Sequence, residues 1–577
     1  MPPFRRFLIR AFLLLVFAVH ASAAPMRPAH GQHAMVSSVH ELASQAGVTV
    51  LQQGGNAVDA AVAVGFALAV VHPQAGNIGG GGFMLFRAAN GDAHFVDYRE
   101  KAPARATATM YLDQNGKYIP NSSTVGYKAI AVPGSVAGMA YSQKRWGKLS
   151  LAQVMAPALR LARDGWALSY EDAQSFHSPH LAEFPDSRRI FQRDGSFYQP
   201  GEVFRQPELA RTLERIAQNP DDFYHGELAR EIAAAMAQGS GLITAEDLAA
   251  YEVKERQVVR GSYRGYDVIS APPPSSGGVA LIEALNILEG YDLARSGNRS
   301  ADSIHLVTEA FRRAFYDRAE FMGDPDFAKV PVAQLIDKKY GIAWRESIEP
   351  QRATLSAELH RPAQFSELDR IAKSMGAPAA GPEPEHTTHY SIVDADGNAV
   401  AVTTTLNGSF GSYVTAHGLG FLLNNEMDDF APGPGIPNMY GLIQGPANFV
   451  GPGKRPLSAM APTILLKDGK LFLVIGSPGG PRIISTVMNI LLGVVDWGQN
   501  IQEAVNAPRF HNQWMPDTLY LERDGFSPDT VKLLEGHGYK ISFNSYWSDG
   551  ECIMVDPKTG ERLGASDGRN NGKAVGY

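Results

Sequence analysis

Residues 376–390 read Gly-Ala-Pro-Ala-Ala-Gly-Pro-Glu-Pro-Glu-His-Thr-Thr-His-Tyr. The first ten are small, prolyl or acidic, with no apolar side chain large enough to anchor them in a core, so they predict a linker and the clearest boundary in the chain. The composition then changes at once. From Tyr390 the run Tyr-Ser-Ile-Val predicts a strand, residues 394–398 a turn, and Ala399-Val400-Ala401-Val402-Thr403-Thr404-Thr405 the returning strand of a hairpin. Thr387 stands where the linker meets that strand, and it has two readings. It is a β-prone residue at an ordinary strand start. Alternatively, if the His386–Thr387 bond is cut, Thr387 holds a hydroxyl and a free α-amine in one residue. An amine with a pKa near ~8 can accept the hydroxyl proton without a separate base.

Further strands are predicted at residues 463–466 and 471–475, and a helix at 483–495. On the N-terminal side, residues 57–71 form an apolar helix interrupted only by Asp59, which belongs in a core and is too short to cross a membrane. The glycines at 79–82 lead into Phe83-Met84-Leu85-Phe86. Without a following Lys and Ser/Thr they do not form a phosphate loop, and they read as sites of close backbone approach. Residues 150–251 and 303–323 carry amphipathic helical periodicity and are expected as outer helices. No repeat of solenoid length is present.

With 52 Lys plus Arg against 59 Asp plus Glu the net charge is −7, and no basic cluster is found, so nucleic-acid binding is not expected. Hydrophobic residues at 44% and charged residues at 19% exclude a largely disordered chain and a polytopic membrane protein. Arg5, Arg6 and Arg10, an apolar run at 11–19 and Ala21-Ser22-Ala23 make residues 1–23 a signal peptide, giving a periplasmic or secreted protein with no membrane role beyond export. The single cysteine, Cys552, allows no intrachain disulfide, and its setting predicts a buried strand residue, not a nucleophile.

Several segments together resemble γ-glutamyltransferases: Thr387-Thr388-His389-Tyr390-Ser391, Thr405-Leu406-Asn407, Asn424-Asn425-Glu426-Met427-Asp428-Asp429-Phe430, Lys454-Arg455-Pro456-Leu457-Ser458 and Gly476-Ser477-Pro478-Gly479-Gly480. Gly55-Asn56-Ala57-Val58-Asp59, Asp97-Tyr98-Arg99-Glu100 and Asn506-Ala507-Pro508-Arg509 extend the resemblance over nearly the whole mature chain. It implies an α+β fold, a four-layer αββα sandwich of the N-terminal-nucleophile hydrolase type. The precursor would cleave itself at His386–Thr387 into a large subunit (24–386) and a small subunit (387–577). Thr387 would then carry the γ-glutamyl group as an acyl-enzyme, with small γ-glutamyl donors as substrates and water or an amino acid or dipeptide as acceptor.

The roles implied around it follow from chemistry. Thr405 hydrogen-bonds the nucleophile, and Gly479 and Gly480 present N–H groups to an oxyanion. A γ-glutamyl group ends in an ammonium and a carboxylate. Arg99 and Ser458 suit the carboxylate, and Asn407, Glu426 and Asp429 suit the ammonium. Residues 432–453, containing Tyr440, resemble a lid over the donor pocket. One position departs from the family pattern: Ala459 stands where a second serine is usual, removing one hydroxyl from the carboxylate site.

Three rivals are weighed against this reading. A glutaryl (cephalosporin) acylase of the same family is kept open by Ala459. A periplasmic peptide-binding protein fits export and paired charges but needs no Thr at a scissile boundary. A serine hydrolase is suggested by Gly564-Ala565-Ser566-Asp567-Gly568, yet no His follows it. Neither a metal nor another cofactor is expected, since His386 and His389 fall on opposite faces of a strand and His40-Glu41 lacks a second His.

Overall fold

Two seven-stranded antiparallel sheets face each other in the computed structural model, which describes residues 26–368, 385–545 and 547–577. The expected signal peptide and residues 376–384 of the linker lie outside the described residues. In chain order the first sheet contains β2 (Met35–Ser38), β3 (Gly81–Arg87), β4 (Ala93–Asp97), β5 (Lys254–Arg256), β8 (Glu385–Val393), β9 (Ala399–Gly408) and β14 (Lys573–Gly576). The second contains β1 (Ala29–Gly31), β6 (Val259–Tyr263), β7 (Tyr266–Ser270), β10 (Thr463–Lys467), β11 (Lys470–Ile475), β12 (Glu551–Val555) and β13 (Arg562–Ser566). Their spatial orders are β14-β2-β8-β9-β3-β4-β5 and β1-β13-β12-β11-β10-β7-β6. The predicted hairpin is thus the pair β8–β9, at the middle of the first sheet.

Alternation along these strands assigns the layers. Met84, Phe86, Tyr390, Ile392, Val400 and Val402 pack outward with helices α1 (Glu41–Gln52), α2 (Ala57–Val71) and α3 (Leu151–Asp164). Phe83, Leu85, Val393, Ala399 and Ala401 face the other way, in one core with Leu465 and Leu473 of the second sheet. That core continues into α4 (Gly277–Leu288), α5 (Ala301–Phe321) and α6 (Arg482–Val495). Both faces of both sheets are therefore covered, giving the expected four-layer αββα sandwich. Because the period is two, Thr387, His389 and Ser391 share the inward face with Ala401, Thr403 and Thr405, and the nucleophile candidate points between the sheets.

Helix α2 is buried along its whole length, as its composition requires. Its one charge sits at the third helical position, where Asp59 completes a capping box with Asn56 and also accepts the Lys148 N–H at 2.7 Å. The glycines before β3 do allow close approach: a Cβ on Gly80 would lie 2.0 Å from the Thr405 carbonyl oxygen. Cys552 is fully buried in β12. Ser566 ends strand β13 with its hydroxyl on Glu551 at 2.9 Å, so the nucleophile-elbow geometry is absent there.

Helix α5 departs from the sequence expectation. Its amphipathic pattern predicts an outer helix with a solvated face, yet 19 of its 21 residues are buried. The polar face is turned inward because its charges find partners: Glu309 with Arg312 and Arg313, and Asp317 with Arg361. Periodicity separates polar from apolar residues but does not distinguish water from a protein counter-charge.

Candidate active site

The site begins at a defect in the β8–β9 ladder. Glu385 pairs with Gly408 and Thr387 with Thr405, so the single residue His386 opposes both Leu406 and Asn407. This is a β-bulge, and it places Asn407 in the left-handed region at φ 75°, which Asn tolerates better than most residues. The bulge lies directly across from the His386–Thr387 bond. The backbone of His386 runs in β8; its side chain lies outside the described residues.

Thr387 Oγ1 lies 3.2 Å from Thr405 Oγ1, and the Asn407 N–H donates to Thr405 Oγ1 at 2.8 Å. Thr387 is 8% exposed, so its hydroxyl meets the cavity and little bulk water. His389, two residues on, is not positioned as a base. Its ring nitrogens meet the Thr403 and Ser391 hydroxyls at 2.8 and 3.2 Å, Gly476 closes over the ring, and burial pushes its pKa down to about 3. It is a neutral core histidine.

Charge enters from three other segments. The Arg99 backbone N–H is held by Asp97 Oδ1 at 2.9 Å at the end of β4, and its guanidinium turns inward fully buried. One nitrogen lies 2.5 Å from Glu426 Oε1 and another bonds Asp429, while Nε donates to the Pro456 carbonyl at 3.2 Å. Glu426 and Asp429 are brought onto one face by the single 3₁₀ turn Glu426–Asp429. Burial opposes the Arg99 charge, but Glu426, Asp429 and Glu100 outweigh it and hold its pKa above the ordinary value. Burial pushes the Glu426 carboxyl well up, and Glu100 up to about 7, against the pull of Arg99.

Gly479 and Gly480 precede the N-terminus of α6 with φ of 121° and 52°, conformations that suit glycine. The segment at 432–453 crosses the same region. The Tyr440 hydroxyl reaches both the backbone oxygen and Oδ1 of Asn407 at 2.9 Å, and its ring packs on Gly480. Asn448 and Gln444 donate to the Asp429 carbonyl at 2.7 and 3.0 Å, tying this segment to the acidic turn. Ser458 is fixed by a bridge to Ser275, and its Oγ accepts the Met460 N–H at 3.1 Å.

One small cavity is lined by Arg99, Thr387, Thr405, Asn407, Glu426, Asp429, Tyr440, Ser458 and Gly480, and also by Ala459. Residues up to 381 positions apart in the chain thus converge. Gly479 adjoins the cavity through Gly480 but is not in its lining. Arg318, not among the residues expected from the sequence, lines the cavity from α5. A signal was available, since Phe311, Ala314, Phe315 and Arg318 recur at helical spacing and put a cation on the apolar stripe. Among the described residues no group of three or more His, Cys, Asp or Glu side chains is arranged to hold a metal ion.

Residues 43–577 match the sequence profile of the family described as Gamma-glutamyltranspeptidase. The glutathione hydrolase proenzyme of Escherichia coli (strain K12) is 47% identical, over 99% of this chain and 98% of its own. Among solved structures, cephalosporin acylase from Bacillus halodurans superposes with a TM-score of 0.80 at 27% identity, over 97% of this chain and 98% of its own. Helicobacter pylori gamma-glutamyltranspeptidase gives 0.57 at 43% identity, over 60% of this chain and 100% of its own.

Proposed function

The chain belongs to the gamma-glutamyltranspeptidase family, and from that premise we propose that it is an exported, self-processing enzyme with Thr387 as nucleophile. The observation that carries this is the Thr387 hydroxyl at the cavity wall, 3.2 Å from Thr405, with buried charges of both signs lining the same space. In the precursor, Thr387 Oγ attacks the His386 carbonyl carbon, the amide nitrogen leaves as an amine, and water hydrolyses the resulting ester. The products are a large subunit, residues 24–386 after loss of the signal peptide, and a small subunit, residues 387–577.

The new α-amine then takes the hydroxyl proton as Oγ attacks the γ-carbonyl of glutathione or a related γ-glutamyl compound. Gly479 and Gly480 N–H groups hold the oxyanion. The donor's ammonium goes to Asn407 Oδ1, Glu426 and Asp429, and its carboxylate to Arg99 and Ser458. The leaving amine departs protonated, and water or an acceptor amine releases the acyl group. Residues 432–453 act as the lid, with Tyr440 bracing Asn407. No cofactor takes part in these steps, and the periplasm or the exterior is the expected place of action.

Intact-mass measurement and N-terminal sequencing of protein from an exporting host test this reading. Two chains, one beginning at Thr387, are expected, with turnover of γ-glutamyl donors exceeding that of glutaryl donors. A single uncut chain would withdraw Thr387 as nucleophile, and a preference for glutaryl donors would move the assignment to an acylase.

A further inference from the structure

Among the most deeply buried arginines, Arg99, Arg312, Arg313, Arg455 and Arg509 each meet a carboxylate. Arg318 is buried as completely but has only a neutral partner, its Nε donating to Ser276 Oγ at 2.9 Å. Its Nη1 has no hydrogen-bond partner, although it belongs to a side chain that lines the Thr387 cavity. Ser276 is itself fixed, donating to the Ser458 carbonyl at 2.7 Å, so the Arg318 guanidinium is held against the Ser458–Ala459 loop. Burial lowers its pKa to about 10, with Asp429 across the lining opposing that fall, which leaves it charged at neutral pH.

We propose that Arg318 is the second cation of the donor pocket and a specificity-determining residue, its Nη1 binding the α-carboxylate of the γ-glutamyl donor directly. This rests on the function proposed above and adds a contact to it. The Arg99 fork is ion-paired with Glu426 and Asp429. The Arg318 guanidinium, which meets no carboxylate directly and whose Nη1 has no hydrogen-bond partner, is the one whose buried charge a bound carboxylate would neutralise. Ala459 strengthens the case: with one hydroxyl absent from this loop, a neighbouring cation becomes the larger share of carboxylate recognition. Acyl groups that lack a carboxylate would leave Arg318 unpaired, so the residue selects for dicarboxylic acyl donors.

The experiment compares wild type with Arg318→Gln and Arg318→Lys in hydrolysis of γ-glutamyl-p-nitroanilide. Inhibition constants are taken for glutamate, for glutarate and for 4-aminobutyrate, which lacks the α-carboxylate. Appearance of a chain beginning at Thr387 reports an intact fold in each variant. With Arg318→Gln, KM for the donor and the inhibition constants of glutamate and glutarate are expected to rise about 10- to 100-fold. The constant for 4-aminobutyrate should stay within about twofold, and Arg318→Lys should recover part of the loss. If Arg318→Gln does not process, Arg318→Lys decides by the same contrast between inhibitors. Equal shifts for all three inhibitors would make Arg318 a structural post, and no shift in any would remove it from the pocket; either overturns the inference. A wild type inactive on every γ-glutamyl donor would instead defeat the proposed function itself.

Discussion

Replacing Thr405 by valine removes one hydroxyl while keeping the shape of the side chain, and that hydroxyl makes two contacts that bear on the site. It meets Thr387 Oγ1 at 3.2 Å, and it accepts the buried Asn407 N–H at 2.8 Å. Loss of the first interaction is worth about 1 kcal/mol, and an unsatisfied buried N–H costs about 1–3 kcal/mol. If both are felt in the transition state, the sum of roughly 2–4 kcal/mol slows the reaction between about 30- and 1,000-fold. The two parts separate kinetically. Weaker orientation of Thr387 lowers the rate of precursor cleavage and kcat, whereas a loosened bulge displaces Asn407 and raises donor KM. Cleavage is followed by gel or mass spectrometry after synthesis of the precursor, and turnover by steady-state kinetics on the processed form. Thr405→Ser, which restores the hydroxyl, should return both to within about threefold. Wild-type cleavage and kcat in Thr405→Val would refute the reasoning that Thr405 orients the nucleophile.

Tyr440→Phe removes the hydroxyl that bonds both oxygens of Asn407, so donor KM should rise about 3- to 10-fold with kcat within twofold; a fall in kcat alone would count against a bracing role. Ala459→Ser should lower KM for a γ-glutamyl donor by about tenfold by supplying the absent hydroxyl, and an unchanged KM would mean that Ser458 and the guanidinium groups already satisfy the carboxylate. Away from the site, burial and the charge of Asp567 push the Asp549 carboxyl from its ordinary 3.8 up to about 7. Between those values the folded chain holds a proton that the unfolded chain has released, so this group's contribution to stability is present below pH 3.8 and declines as pH rises to about 7. Thermal unfolding of Asp549→Asn across that range should show a shallower decline than wild type, by up to a few kcal/mol, and identical slopes would exclude this assignment.

The sequence by itself determined the pieces whose physics is local. The abrupt change from a Pro/Gly/Ala linker to β-prone residues marked Thr387, and the uniform apolarity of residues 57–71 required a helix buried on every side. The glycines ahead of the apolar run Phe83-Met84-Leu85-Phe86 marked a place of close backbone approach. The resemblance of ordered motifs named most of the polar residues that line the Thr387 cavity. Tertiary structure alone decided what depends on contacts between distant segments. The bulge that turns Asn407 toward the cavity exists only in the register between β8 and β9, and register is a property of two strands, not of either sequence. Helix α5 looked amphipathic because its pattern records polarity, while Arg361 and Asp517, which pair with its Asp317 and Arg312 and help make the polar face an interior one, come from elsewhere in the chain. Arg318 showed in the sequence only as a cation on the apolar stripe of that helix, and its role stayed hidden for the same reason. A lone arginine on a helix stripe becomes informative only when packing shows that Arg99, Arg312, Arg313, Arg455 and Arg509, buried as deeply, each meet a carboxylate, while this one lines the Thr387 cavity beside a neutral partner.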